Sequence, residues 1–270
     1  MGSKAVNEPS RRVRLDELLV EKGLAQTRNQ AQAIIRAGKV KVGGRQLDKP
    51  GMTVGSTSDI IVDPGPRFVG RGGEKLAAAL DTFGLSVEGA TCLDVGASTG
   101  GFTDALLQRG AVKVFAVDVG RAQLAWRLRT DPRVVSLEKT DIRRLDGLPE
   151  APGVVTVDVA FISLSGVLPR VRELIRDDGA CVALVKPQFE AGASGVGKGG
   201  IVRDPEVHRA VLTRMVDWCI AHGWSVEKAA RSALQGADGN REFFLLLRPS
   251  AAATGTTRVT PDMIAELALS

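Results

Sequence analysis

Between residues 91 and 248 short apolar runs alternate with amphipathic helical segments, and no other property of the chain narrows its fold so far. The spacing predicts strands near 91–95, 113–118, 133–137, 153–158, 180–186, 224–229 and 242–248. Helices fill the gaps, notably over 73–84, 102–109, 121–129, 165–176 and 205–221. Strand and helix in such alternation argue for an α/β chain wound as a Rossmann-like, doubly wound sheet.

The first of these strands runs into a glycine-rich turn and a helix start, Thr91-Cys92-Leu93-Asp94-Val95-Gly96-Ala97-Ser98-Thr99-Gly100-Gly101-Phe102-Thr103. Glycines let the backbone pass close to a ligand, and a helix N-terminus presents free N–H groups to a carboxylate. A dinucleotide fingerprint reads G-x-G-x-x-G, whereas this turn reads G-x-x-x-G-G with Asp94 just ahead of it. The next strand ends in Asp118, 24 residues after Asp94 and placed to bond ribose hydroxyls, and Asp141 follows the third strand. Three acids at consecutive strand ends favour S-adenosylmethionine over a nicotinamide cofactor. The expected cofactor contacts are Asp94, Gly96, Ala97, Ser98, Thr99, Gly100, Gly101 and Phe102, then Asp118 with Val119, Asp141 with Ile142, and Asp158.

Residues 11–62 read as a separate small α+β unit. Leu15, Leu18 and Leu19 share one face of a helix over 15–22. Thr27, with Gln30 three residues on, has the spacing of a capping box and starts a second helix. Ala31, Ile34 and Ile35 form its inner face, while Arg28, Gln32 and Arg36 recur on the other. Gly38 ends that helix, Lys39-Val40-Lys41-Val42 alternates as a strand before a Gly43-Gly44 turn, and short strands near 52–54 and 59–62 complete the unit. Asp63-Pro64-Gly65-Pro66 is a stiff connector. The boundaries expected from this pattern are a linker over 63–70, a second domain over 71–250 and a C-terminal extension over 251–270 with a weak helix at 261–268.

The net charge of +5 is unevenly placed: residues 1–66 hold 11 Lys/Arg against 7 Asp/Glu, leaving 25 against 24 for the rest. A basic concentration of this kind suits either a phosphate backbone or a solvated face. Arg14, Arg28, Arg36, Lys39 and Lys41, joined by Arg67, Arg71 and Lys139, are the expected contacts on the first of these readings. Cys92, Cys181 and Cys219 lie far apart in apolar segments and read as reduced, buried thiols. Two histidines give no basis for a His-rich metal site. The opening MGSKAVNEPS lacks the apolar core of a signal peptide, and no apolar run is long enough to span a bilayer, so the expectation is a cytoplasmic, monomeric chain.

Gly192-Ala193-Ser194-Gly195-Val196-Gly197-Lys198-Gly199 comes close to a nucleoside-triphosphate loop, but Gly199 stands where the magnesium-binding hydroxyl belongs, and a loop follows it. We read this stretch as a flexible flap beside the active site. Four other motifs carry a resemblance. Gly70-Arg71-Gly72-Gly73-Glu74-Lys75-Leu76, Asp158-Val159-Ala160-Phe161-Ile162-Ser163-Leu164, Val185-Lys186-Pro187-Gln188-Phe189-Glu190 and Gly239-Asn240-Arg241-Glu242-Phe243 are similar to motifs of the TlyA family. These are rRNA 2'-O-methyltransferases with an FtsJ-like catalytic domain, and the N-terminal unit here resembles the RNA-binding domain of ribosomal protein S4. The resemblance runs from about residue 11 to 248. It implies S-adenosylmethionine as cofactor, ribosomal RNA or ribosomal subunits as partner, no membrane and no metal, and a Lys-Asp-Lys-Glu tetrad falling on Lys75, Asp158, Lys186 and Glu242. The chain departs from the family pattern with Arg121-Ala122 for Tyr-Gly, Asp141 for Asn, Phe68 where Trp is frequent and Gly70 where Ser is usual.

Those residue types suit the chemistry. A ribose hydroxyl is a poor nucleophile until its proton is removed or shared. A free lysine is protonated at neutral pH, but a second lysine nearby and the exclusion of water can turn one into a base. Lys186 is therefore the expected base, Lys75 its partner, and Asp158 and Glu242 the orienting carboxylates. Lys186 and Asp158 close strongly apolar strands, where a charge marks the crevice end, while Lys75 and Glu242 rest on the resemblance. Phe161 is open between stacking on the target nucleoside and packing in the core, and Trp126 is expected to pack within its helix. Exocyclic-amine methylation uses an Asn/Asp-Pro-Pro-aromatic turn, and cytosine-carbon methylation a cysteine at such a turn; Asp158-Val159-Ala160-Phe161 offers neither. The alternatives are an RNA-binding protein with an inactive catalytic domain and a membrane-lytic protein, the latter lacking a strongly amphipathic segment.

Overall fold

The computed structural model describes residues 11–192, 195–252 and 254–269. The chain divides into two compact units between Arg67 and Phe68.

In the first unit, strand β1 (Arg12–Arg14) leads into helices α1 (Leu15–Glu21) and α2 (Arg28–Arg36), followed by β2 (Val40–Val42), β3 (Arg45–Leu47), β4 (Thr53–Gly55) and β5 (Ile60–Val62). Strands β1 and β4 pair antiparallel, and β3-β2-β5 form a second small antiparallel sheet. Leu15, Leu18, Leu19, Ala31, Ile35 and Val40 make its core. The expected cap is present, since Thr27 Oγ1 accepts from Gln30 N at 3.2 Å. Gln30 reaches back to Gln26 N, one residue before the cap. Strands β1 and β3 carry no sequence signal, since three residues with a single apolar position leave no periodicity to detect.

The second unit begins with α3 (Arg71–Phe83) and continues through β6 (Thr91–Val95), α4 (Gly101–Gln108), β7 (Lys113–Val117), α5 (Trp126–Arg129), β8 (Val134–Leu137) and β9 (Val154–Val157). It ends with α6 (Leu168–Leu174), β10 (Ala180–Val185), α7 (Pro187–Glu190), α8 (Pro205–Ala221), β11 (Trp224–Arg231), β12 (Phe243–Pro249) and α9 (Pro261–Leu269). The seven-stranded sheet runs β11-β12-β10-β9-β6-β7-β8. Strands β6 to β10 are parallel, while β12 inserts antiparallel between β10 and β11.

Side chains alternate across this sheet. Leu93, Phe115, Val155 and Ala183 pack with α6 and α8 on one face; Cys92, Val114, Val154 and Val182 pack with α3 and α4 on the other. With both faces covered, β10 is buried at all six positions, which is why it reads as one continuous apolar run. From β6 the chain turns one way to β7 and β8, and later the other way to β9 and β10. The crevice at such a switch point is where open α/β sheets bind ligands, and here it opens beyond Val95 and Val157.

Two expectations change. The helix predicted over 121–129 is confined to Trp126–Arg129, because Ala122 takes a left-handed backbone (φ 54°). The C-terminal helix is docked: Ile264 and Ala268 are buried, and Arg241 Nη1 donates to Ala268 O at 3.3 Å. Residues 193 and 194 of the glycine-rich stretch lie outside the described residues, and Lys198–Gly200 form a single 3-10 turn.

Candidate active site

Strand geometry delivers three of the four tetrad residues to one end of the sheet. Val185 pairs with Phe243 in the antiparallel β10–β12 ladder, so Lys186 and Glu242 leave the sheet side by side. Asp158 follows β9, its backbone N–H donating to Val95 O at 2.9 Å. Lys75 comes from α3, whose first turn lies against the start of α4. Gly73 and Gly101 allow that approach: a Cβ on Gly101 would sit 2.9 Å from Gly73 N, and one on Gly73 would sit 2.2 Å from the Phe68 ring.

The four charges form two ion pairs. Lys75 Nζ lies 2.5 Å from Glu242 Oε2, with both side chains nearly closed to solvent (10% and 3% exposed). Lys186 Nζ lies 2.5 Å from Asp158 Oδ1. That second contact has the distance of an ion pair but not the angle of a hydrogen bond, so the buried Asp158 Oδ1 keeps its acceptor capacity. Glu242 is held in place through its backbone, where Ser232 N donates to Glu242 O at 2.9 Å.

The glycine turn is fastened from both sides. Gly96 N and Ala97 N donate to Val117 O at 2.8 and 3.1 Å, and Ser98 N donates to Asp118 Oδ2 at 2.8 Å. Gly96 has φ 87°, and a Cβ there would lie 2.2 Å from Asp158 O, so the glycine turn and the loop after β9 run backbone against backbone. A cleft of about 760 Å³ opens here, lined by Gly96, Ser98, Asp118, Val119, Asp141, Ile142, Asp158 and Lys186 among others. Ala97, Thr99, Gly100, Gly101 and Phe102 do not line it, and Phe102 is core, its ring 6.2 Å from that of Phe244.

The three acids read from the sequence have three different environments. Asp94 faces inward: it is 0% exposed, and its oxygens accept from Thr103 Oγ1 at 2.7 Å and Thr156 Oγ1 at 3.0 Å. Burial pushes its carboxyl up to about 6 despite those hydrogen bonds. Asp94 is expected among the cofactor contacts, but its carboxylate is closed to solvent and does not line the cleft. Asp118 does face the cleft, with Gly120 N donating to Oδ1 at 2.6 Å. Asp141 lines the cleft but caps the 142–144 turn, and Arg143 grips its carboxylate at 2.6 to 3.1 Å. The Arg143 guanidinium holds Asp141 below the usual carboxylate range.

Two aromatic residues resolve differently. Phe161 is 91% exposed, lines the cleft and holds a left-handed backbone (φ 62°), a strained state for a bulky residue that concentrates at functional sites. Its ring lies 5.1 Å from that of Phe189. Core packing is thereby excluded. Trp126 is 75% exposed, which corrects the expectation that it packs within a helix. Leu124 and Leu128 occupy the apolar space beside Gly100 instead.

Sequence reading missed the carboxylate that joins the loop after β9 to the segment after β10. Glu190 accepts from Ser163 Oγ at 2.6 Å and Leu164 N at 2.8 Å, tying the loop after β9 to α7. Desolvation raises its pKa. It lay inside a recognised motif, but nothing in its spacing marked its partners.

On the first unit, Arg14 and Arg28 are held by a fully buried Asp16, whose carboxylate accepts from Arg14 Nε and Nη2, Arg28 Nε and Gln32 Nε2 at 2.9 to 3.1 Å. The Arg14 guanidinium, with Gln32 and Arg28, keeps Asp16 well below the usual carboxylate range. Both guanidiniums remain about half exposed, so they are presented to solvent in fixed orientations. Arg36 and Lys41 are exposed and Lys39 partly so. Arg67 is exposed; in the second unit Arg71 donates to Gln235 O at 3.0 Å, and Lys139 is exposed. Among the described residues no cluster of His, Cys, Asp and Glu could hold a metal, and no helix is long and apolar enough to cross a membrane. The three cysteines are free and buried.

Residues 68–249 match the FtsJ-like methyltransferase family and residues 13–61 the S4 domain, so fold and site together define a methyltransferase joined to an S4 domain. The chain is 46% identical over 245 residues, 88% of its length and 91% of the relative's, to the 16S/23S rRNA (cytidine-2'-O)-methyltransferase TlyA of Mycobacterium tuberculosis. It is 42% identical over 234 residues, 86% of its length and 98% of the relative's, to Hemolysin A of Brachyspira hyodysenteriae. A solved structure from Streptococcus thermophilus, described as a candidate hemolysin, superposes with a TM-score of 0.72 at 41% identity, covering 96% of this chain and 95% of that one. The chain belongs to the TlyA family of FtsJ-like methyltransferases.

Proposed function

We propose that this enzyme methylates a ribose 2'-hydroxyl of a cytidine in ribosomal RNA, with S-adenosylmethionine as donor and Lys186 as base. The observation that carries the reading is the Lys186–Asp158 contact in the wall of the cleft, with the buried Lys75–Glu242 pair at the same end of the β10–β12 ladder.

The cleft suits the donor in volume and in chemistry. About 760 Å³ falls within the range of small-molecule sites. Asp118 would hold the ribose hydroxyls, Val119 and Ile142 would flank the adenine, and the turn from Gly96 to Ser98 would take the amino-acid end. Asp94 and Asp141 act indirectly, the first by holding the turn and the second by shaping the loop that bears Ile142. When bound, S-adenosylmethionine supplies an activated methyl group, so the protein needs to prepare only the oxygen. In its neutral form Lys186 Nζ would take the 2'-hydroxyl proton, and the carboxylate of Asp158 at 2.5 Å would stabilise the ammonium so formed. Lys75 and Glu242, buried against each other, orient the sugar. The exposed Phe161 ring stacks on the target base. The S4 unit holds RNA through Arg14 and Arg28 as fixed by Asp16, with Arg36, Lys39 and Lys41 beside them, while Arg67, Arg71 and Lys139 add further phosphate contacts.

Transfer of tritiated methyl groups to ribosomal RNA, followed by nucleoside analysis, tests this. Label is expected on cytidine ribose, and Lys186→Arg should lower turnover by about 10²- to 10⁴-fold while retaining cofactor binding. Label on a base, or full turnover in the variant, overturns the assignment.

A further inference from the structure

The unit from Phe68 onward carries 24 Lys/Arg and 24 Asp/Glu, yet residues 121–144 hold seven of the former and three of the latter. This short segment is therefore +4, and the remainder of the unit, 17 against 21, is −4. All seven basic residues, from Arg121 to Arg144, are exposed, whereas the three acids are partly buried. Each acid is bound within the segment: Asp131 to Arg133 at 2.8 Å, Glu138 to Arg129 at 2.6 Å, Asp141 to Arg143 at 2.6 Å. The acids thus fix Arg129, Arg133 and Arg143 while leaving 37–52% of those side chains in solvent, and Arg127 is held from outside the segment by Asp104. Among them stands Trp126, 75% exposed, with no aromatic ring stacked on it among the described residues. The same segment reaches the cleft through Gln123, Thr140 and Arg143.

We infer that residues 121–144 form an RNA-binding face of the catalytic unit, in which Trp126 stacks on a base near the target nucleotide and the arginine row takes the phosphates. An exposed aromatic among fixed guanidiniums is the chemistry that holds unpaired nucleotides, whose bases offer a flat face and whose backbone offers charge. An anionic membrane would also attract this charge, but insertion needs an apolar stripe. Leu124 and Leu128 are buried and Val135 is 37% exposed, so Trp126 stands as the segment's most exposed apolar side chain rather than as part of a stripe.

The inference rests on the RNA-directed reading above, and the test separates the two. Affinity of the full chain for ribosomal RNA is measured at fixed salt for the parent, Trp126→Ala and Trp126→Phe, alongside binding to phosphatidylglycerol vesicles. Trp126→Ala should lose between about fivefold and a hundredfold in RNA affinity, and Trp126→Phe should keep most of it. Melting temperature and S-adenosylmethionine affinity should not change, because the side chain lies in solvent outside the cleft. The double variant Arg121→Ala, Arg144→Ala should lower the salt dependence of RNA binding by up to about two phosphate contacts. Equal RNA affinity in parent and Trp126→Ala overturns this inference while leaving the methyltransferase reading intact. A loss confined to vesicles overturns it in favour of a membrane, and a parent that binds no RNA removes both.

Discussion

Replacing Lys75 by methionine leaves Glu242, 3% exposed, as a lone charge whose partner at 2.5 Å has gone. Breaking a buried ion pair from one side costs about 3–5 kcal/mol, because the remaining ion has lost both water and its partner. For a unit of 203 residues, each kcal/mol moves the melting temperature by roughly 2–4 °C, so a fall of roughly 6–20 °C is expected. The double variant Lys75→Met, Glu242→Leu replaces both charges by apolar groups, a change that is often neutral or stabilising by about 1–4 kcal/mol. It should therefore recover most of the lost stability. Catalysis should not recover, because both orienting charges are absent. The assay is thermal melting of the parent, the single and the double variant, with methyl transfer to ribosomal RNA measured on each. If the single variant melts within about 1 kcal/mol of the parent, the pair is not energetically coupled. If the double variant methylates RNA at the parental rate, the pair has no part in the reaction.

Two further substitutions probe the glycine turn and the acid beneath it. Gly96→Ala places a Cβ 2.2 Å from Asp158 O at a positive φ, so calorimetry should show cofactor binding lost and melting should show destabilisation of about 2–5 kcal/mol; unchanged binding would mean the turn does not depend on that close approach. Asp94 has a folded pKa raised by burial to about 6, above its ordinary 3.8, so its contribution to stability is present below about pH 4 and lost as pH rises through 6. Asp94→Asn should flatten that slope, worth about 3 kcal/mol, in urea melts between pH 4 and 8, and identical pH profiles for parent and variant would refute the burial argument.

The general α/β winding, the glycine turn and the basic N-terminal unit are all legible in sequence because each is a short-range pattern. Apolar periodicity, turn residues and local charge act over a few residues, where spacing along the chain is spacing in space. Lys186 and Asp158 stand out for the same reason, as charges closing buried strands. Lys75 and Glu242 carry no such mark, since they lie 167 residues apart and become neighbours only when α3 packs beside the sheet. The antiparallel insertion of β12 likewise follows from pairing, which no local pattern encodes.

Direction in space divides the two kinds of knowledge. Periodicity by itself sets Asp94 near the end of β6, Phe161 in the loop after β9 and Trp126 in a helical segment, but not which way each side chain faces. Packing turned Asp94 inward onto Thr103 and Thr156, and left-handed backbone at Ala122 and Phe161 accompanies two aromatic rings left in solvent. A side chain's orientation depends on what competes for the space beside it, and those competitors come from distant parts of the chain.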